Sequence, residues 1–467
     1  MATLKLGQAM IHWSKTGHPP DNRIFKGIDH YEISNYGYLL QVRTAREFGE
    51  PLGIWETHHK EDMMNLKRRD LLKIVAAGGI ASAGTRVFAQ SEGPLRIGVL
   101  CDFSSVASTS GGKGSVAAVE LAVEDFGGQA LGRQIEIVSA DHQGKAEIAT
   151  GIAREWMDTK GVEAFFDLQI SSCALAVMAL AANKNKIAVV SNAHSSQITG
   201  KSCNPTSFHW TYDTYGLSTV QPDVFVKMGK KRWFLLNPDY AFGISLENDF
   251  KKSLEGRGAT VTGSLRVPLG SPDFSTAVLA AANSGADVVQ VGLFGTDLLN
   301  FIKTARQFGL DSVVTLATTS MSIVDVQVLG LESMHGLYAN EVFYWDQNDK
   351  TRDWSKRYMK KMGSPPNGER ACGYSAVMHY LKAVAQAGVV DATQVAKAMR
   401  SIPVNDMMSN NLTVREDGMC VRDFHLFKVK APEASKYDFD MYDYVSTVAG
   451  PSTVRSPSES ECALIKS

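Results

Sequence analysis

Cysteine is scarce, with six in 467 residues, and none stands in a C-x-x-C pair. That excludes a scaffold built from disulfides and argues against a structural zinc site. A surplus of one charge is also missing. The 48 Lys and Arg residues stand against 49 Asp and Glu, for a formal net charge of −1. Nucleic acid and anionic membrane surfaces are therefore not expected partners. The familiar marks of catalysis are absent too: G-x-S-x-G, H-E-x-x-H, a Walker lysine loop, a dinucleotide fingerprint after the first strand. Asp141-His142 follows a strand, but without a nucleophile nearby the pair reads as structural. Neither an enzyme nor a cofactor is expected. What remains is a chain 44% hydrophobic and 21% charged, an ordinary globular composition long enough for two or three folding units.

The most specific short signal runs from Met64 to Gln90. A basic start (Lys67, Arg68, Arg69) precedes a mildly apolar stretch from Ile74 to Gly84. Small residues follow, with Val87 and Ala89 placed for cleavage before Gln90. The stretch is too short and glycine-rich to span a bilayer. Residues 64–89 therefore read as an export signal, and Arg68 to Lys73 resembles the twin-arginine type. A secretory or twin-arginine route is left open. Such a signal belongs at a chain start, so residues 1–63 are expected to be a non-native upstream extension. Their His58-His59 pair lacks the further ligands that a metal site needs.

From Leu95 the pattern becomes regular. Apolar runs at Leu95 to Leu100, Gln134 to Asp141, Val162 to Leu168 and Ile187 to Ser191 predict strands. Helical stretches at Ser115 to Phe126, Ala146 to Lys160 and Cys173 to Asn183 alternate with them. After Tyr212 the alternation restarts. Strands are predicted at Arg232 to Asn237, Ala259 to Val267, Val288 to Leu293 and Ser312 to Leu316. Helices are predicted between them, then again from Trp354 through Arg400. Asp423 to Val429 and Tyr442 to Val448 predict late strands. The fold class is thus α/β, with two doubly wound parallel-sheet lobes joined by a multi-strand hinge. The expected division is 94–212 plus 339–420 for lobe one and 213–338 plus 421–449 for lobe two. Residues 450–467 form a Ser- and Pro-rich tail expected to lie extended.

Ligands of open α/β sheets bind beyond the carboxyl ends of strands, where helix N-termini present free N–H groups. In lobe one the candidate loops are Phe103 to Gly114, Gln169 to Ser172 and Ser191 to Ser196. Ser171, Ser172 and Ser195, with Ala193 and His194, offer hydroxyls and amides. Helix capping is the plainer use of any single serine. In lobe two Asn237 to Gly243 supplies Tyr240 and Phe242 as aromatic walls. Gly292 to Asp297 supplies Phe294, and Ala317 to Met321 supplies Ser320.

These segments, among them I-G-V-L-C-D-F-S-S, V-E-L-A-V-E-D-F-G-G, D-Y-A-F-G and F-Y-W-D-Q-N-D-K, resemble the periplasmic ligand-binding proteins of the branched-chain amino acid type. The resemblance runs from Leu95 to about Val448. It implies a clamp that hands a small molecule to the membrane permease of an ABC importer, in the periplasm and as a monomer. It implies that Ser171, Ser172, Ala193 and Ser195 hold a ligand carboxylate while Phe242, with Tyr240 beside it, closes over the ligand. Amino-acid-binding members also carry an acid in a second-lobe loop. Ala317 to Met321 has none, which tilts the expectation toward a carboxylic acid or neutral metabolite, with Asp297 as the alternative acid. Cys203 and Cys462 resemble positions that carry cysteine in a subgroup of this family rich in proteins for organic acids and other small metabolites, so a bridge between them would pin the tail. The other four cysteines are expected to be free. Two rival readings stay open: a ligand sensor docking on a membrane receptor, and an enzyme with an unrecognised site.

Overall fold

The computed structural model describes residues 93–465. The expected upstream extension, its His58-His59 pair and the export signal lie outside the described residues. The first lobe is built from β1 (Leu95–Cys101), α1 (Gly112–Phe126), β2 (Gln129–Ala130), β3 (Arg133–Asp141), α2 (Ala146–Glu155), β4 (Val162–Asp167), α3 (Ser171–Asn183), β5 (Ile187–Val190) and β6 (Ser207–His209). Its strands form one sheet in the order β2-β3-β1-β4-β5-β6, parallel except where β2 turns back on β3.

Central strands of such a sheet are apolar on both sides. Leu95, Ile97 and Val99 face one core with Val119 and Ala122 of α1. Leu100 and Phe165 face the other with Ala149 of α2 and Cys173 of α3. Gly98 is needed where a Cβ would stand 2.6 Å from the Trp156 ring, so glycine lets that indole lie flat on the sheet.

The second lobe comprises α4 (Thr214–Lys227), β7 (Arg232–Pro238), α5 (Ala241–Glu255), β8 (Thr260–Val267), α6 (Ser275–Ala282), β9 (Val288–Val291), α7 (Gly295–Gln307), β10 (Thr315–Thr318), α8 (Ile323–Leu329) and α9 (Leu331–Met334). Its sheet runs β10-β9-β7-β8, all parallel. Trp233 and Leu235 of β7 pack toward Leu246 and Phe250 of α5. Phe234 and Leu236 pack toward Val278 of α6 and Phe301 of α7. The edge strand β8 alternates exposed and half-buried residues, as one-sided cover requires.

The chain then passes through β11 (Tyr338–Glu341) and returns with α10 (Asp349–Met362), α11 (Gly368–Ala387) and α12 (Ala392–Ser401), of which α11 packs along α1. It ends in β12 (Phe424–Val429) and β13 (Tyr442–Val448), which join β11 in an antiparallel ribbon. Four expectations shift. Helix α1 starts at Gly112 rather than Ser115, and α3 at Ser171 rather than Cys173. The strand predicted at Ser312 starts at Thr315, because Leu310–Ser312 forms a 3₁₀ turn. The tail is not extended throughout, since Gly450–Ser452 and Pro457–Glu459 are 3₁₀ turns.

Candidate functional site

Three consecutive strand ends build the lobe-one side of a cavity. After β4 the backbone takes left-handed values at Asp167, Leu168 and Ile170 (φ 70, 50 and 67). Non-glycine residues rarely adopt them, and they cluster at functional loops. The result is a sharp reversal that starts α3 at Ser171, so its free first-turn amides open beside the loop after β5. The Ser171 hydroxyl accepts the Ser195 amide at 3.2 Å. Gln169, buried, ties the loop after β1 to the same place. Its Oε1 accepts the Asp102 amide at 3.1 Å, and its Nε2 donates to the Ala107 carbonyl and the Ser110 hydroxyl, both at 2.8 Å. His209 Nε2 donates to the Ala193 carbonyl at 2.7 Å. Burial pushes His209 down to about 3, so the ring stays neutral and the bond fixes its tautomer.

Lobe two contributes three rings. Tyr240 and Phe242 open α5, and Phe294 precedes α7. Their centroids lie 6.0 Å apart for Tyr240–Phe242 and Phe242–Phe294, and 6.4 Å for Tyr240–Phe294. Ser322 then caps α8: its amide donates to Asp325 Oδ2 at 2.9 Å, and its hydroxyl at 3.1 Å.

These residues surround about 460 Å³ of space, part of it open to solvent. Seven expected residues line it: Ser171, Ala193, His194, Tyr240, Phe242, Phe294 and Ser320. Two do not. Ser172, the second residue of α3, is half-buried and outside the lining. Ser195 is fully buried and shares a 2.7 Å hydroxyl–hydroxyl bond with Ser245 of α5, from the other lobe.

Ala317 to Met321 contributes Ser320 and no acid to the lining. Asp297 lies outside the lining and accepts the Gly270 amide at 2.8 Å. Asp325 and Glu369 line the cavity instead. Glu369 opens α11 and accepts the Tyr212 hydroxyl at 2.9 Å. His194 Nε2 lies 3.6 Å from the same oxygen, too far for a hydrogen bond but near enough to feel its charge. Although burial alone would raise Glu369, His194 and the Tyr212 hydroxyl hold it below the usual carboxylate range. Burial pushes Asp325 up to about 7. Burial, and then the charge of Glu369, push the neighbouring Glu341 well up. Glu369 Oε2 and Asp325 Oδ1 have no hydrogen-bond partner among the described residues. An unpartnered buried carboxylate oxygen calls for a donor. The cavity thus has amides and hydroxyls at the loops after β4 and β5, and unpartnered carboxyl oxygens at Glu369 beside His194 and Tyr212 and at Asp325 of lobe two.

The S-x-x-D pattern at Ser322 to Asp325 was a legible helix start, and nothing local marked Glu369. Among the described residues no group of three or more His, Cys, Asp or Glu suits a metal ion, and no helix is long and apolar enough to cross a membrane. Cys203 and Cys462 are joined by a disulfide, with Cα atoms 5.7 Å apart. Cys101, Cys173, Cys372 and Cys420 are free and buried.

Residues 94–436 match the profile of the periplasmic binding protein family. A periplasmic binding protein from Burkholderia mallei superposes with a TM-score of 0.78 at 37% identity, covering 80% of this chain and 99% of that one. A branched-chain amino acid ABC transporter periplasmic ligand-binding protein from Burkholderia xenovorans does so with 0.72 at 39% identity, covering 80% and 100%. A Leu/Ile/Val-binding protein homologue from Brucella melitensis is 27% identical over 243 residues, 52% of this chain. That alignment spans 62% of the relative's own length. All are binding proteins rather than enzymes. Two parallel-sheet lobes around one cavity, and a family match across most of the described chain, make this chain a member of the periplasmic binding protein family, of the Leu/Ile/Val-binding type I fold.

Proposed function

We propose that the chain is the extracytoplasmic solute-binding protein of an ABC importer, capturing a small organic acid, amino acid or related metabolite by hinge closure. Lobes divided at 94–212 plus 339–420 and 213–338 plus 421–449 would act as the jaws. A membrane permease would read the closed form of the monomer. The observation that carries this reading is the cavity that residues of both lobes line: the Ser171 and Ala193 loops and Glu369 from 94–212 plus 339–420, and Asp325 with the three rings from 213–338. Ala317 to Met321 carries no acid, but Asp325 and Glu369 line the cavity, which readmits a ligand with an ammonium group. A small molecule with a carboxylate for the Ser171 and Ala193 loops and N–H donors for Asp325 and Glu369 would satisfy both sets of groups. The rings of Tyr240, Phe242 and Phe294 cover its apolar part.

The test is a thermal-shift screen of the full chain against matched pairs of acids with and without an amino group. A ligand at a hundred times its Kd adds about 2.7 kcal/mol of stability. Selective stabilisation by one member of a pair supports the capture reading and names the cargo. A panel of amino acids, aliphatic and aromatic acids, amides and polyols with no stabilising member would sink it.

A further inference from the structure

Helix α7 begins at the cleft without a cap of its own. Its N-cap residue, Phe294, makes no side-chain capping bond, and the first amides of any helix lack an intrahelical carbonyl. One of these amides finds its partner in the opposite lobe. The Thr296 N–H donates to the Val106 carbonyl at 3.2 Å. Val106 belongs to the loop after β1, and that loop is held rigid from within. Asp102 accepts the amides of Ser104, Ser105 and Ala107 at 3.1, 2.7 and 3.0 Å. Gln169 holds the Ala107 carbonyl from the far side. The Val106 carbonyl is thereby left pointing across the cleft.

Gly295, the first residue of α7, sets how near the lobes come. Its φ is +53, and a Cβ there would stand 2.0 Å from the Val106 oxygen and 3.6 Å from the Ala107 Cα. Only glycine admits this approach. Ala107 and Gly295 also line the cavity, so the contact closes over whatever the cavity holds.

We propose that the Val106 carbonyl caps helix α7 in trans, as a latch between the lobes, and that Gly295 is the residue that lets the latch engage. This rests on the clamp reading and adds to it a contact that favours closure without touching the ligand. In an open clamp water takes the place of the carbonyl. On closure the carbonyl dipole meets the positive end of the helix.

The test needs no ligand. Ser195→Cys and Ser245→Cys replace two hydroxyls that meet across the lobes at 2.7 Å, and their rate of disulfide formation under mild oxidation reports the closed population. The pair is placed in the full chain, alone and with Gly295→Ala or Thr296→Pro. Proline is tolerated in the first helical turn and deletes the N–H. Peptide mapping identifies the bond, and circular dichroism verifies the fold. The expected result is a rate at least about tenfold lower with Gly295→Ala and several-fold lower with Thr296→Pro, a tenfold change being about 1.4 kcal/mol. Equal rates in all three backgrounds overturn the latch and leave the clamp standing. Slowing by Gly295→Ala alone reduces the contact to a steric one and also overturns the cap. A parent pair that never cross-links overturns the clamp itself.

Discussion

The Tyr212 hydroxyl donates to Glu369 Oε1 at 2.9 Å, across 157 residues of chain. Its ring is stacked between His194 and Phe424, with centroids at 4.5 and 4.6 Å. Tyr212→Phe keeps this stack and deletes only the donor. The folded chain is then expected to lose about 1–2 kcal/mol, because a buried carboxylate gives up a hydrogen bond it cannot replace. Urea denaturation measures this, and an unchanged midpoint would show that water already serves Glu369.

Glu369→Gln leaves the shape of the site but removes its charge. For a ligand with a cationic nitrogen against this wall, affinity is expected to fall at least about tenfold, the usual scale for a charge-assisted bond. For a ligand with no nitrogen, affinity holds or rises. Calorimetric titration with the best compound from the screen separates the cases. A nitrogenous ligand bound equally well by both proteins would place its nitrogen elsewhere.

The disulfide between Cys203 and Cys462 closes a span of 259 residues. It ties the tail to lobe one, while Arg455 of that tail forms an ion pair with Asp249 of α5 in lobe two. Cys203→Ser is expected to reduce stability by about 2–5 kcal/mol, the common range for removing a native bridge. Cys462→Ser should match it, and the double variant should cost no more than either single one. Additive losses would mean that the cysteines contribute separately.

How much of this was legible beforehand depends on the range of the signal. Apolar runs such as Leu95 to Leu100 declare buried strands locally, and residues of the loops that follow such strands line the cavity. Seven expected residues meet at the cavity because parallel strands deliver their ends to one edge. Ser195 does not line the cavity, and a strand-end serine looks the same in sequence whether it faces a ligand or Ser245. Glu369 was missed for a different reason. It opens a helix far along the chain, and only the packing of α11 on α1 carries it to the cleft. Sequence periodicity holds no record of that third element arriving.

Asp213 gives the stability a definite dependence on pH. It caps α4, accepting the Gly216 amide at 2.9 Å. Burial pushes its carboxyl up to about 7 even against that bond. The folded chain therefore holds a proton that the unfolded chain has released. The stabilising contribution is complete below about pH 4, the unfolded value, and is lost as the pH rises through about 7. Asn is as good a cap and carries no charge. Asp213→Asn should therefore gain stability relative to wild type as the pH rises from about 5 to about 8, by at most about 1.4 kcal/mol per unit. Thermal melts across that range measure the difference. A constant offset would assign the slope to other groups, such as Asp325.

Ser195 and Ser245 meet across the lobes at 2.7 Å, and neither lines the cavity. Their bond therefore acts on closure rather than on the ligand. Each single alanine variant strands one buried hydroxyl, a loss of about 1–3 kcal/mol when no water reaches it. The double variant strands neither hydroxyl, and the Gln197 amide, which donates to the Ser195 hydroxyl at 3.3 Å, loses its acceptor equally in the Ser195 single and in the double variant. The cycle should therefore show a coupling of about 0.5–1.5 kcal/mol, as for residues sharing one hydrogen bond. Denaturation reads that coupling directly. Ligand affinity should fall several-fold through a less favourable closing step, and by the same factor for every ligand tested. Loss confined to one ligand class would instead make Ser195 a contact residue, as the strand-end pattern first suggested. Independent single effects would mean that the two hydroxyls do not share a bond in solution.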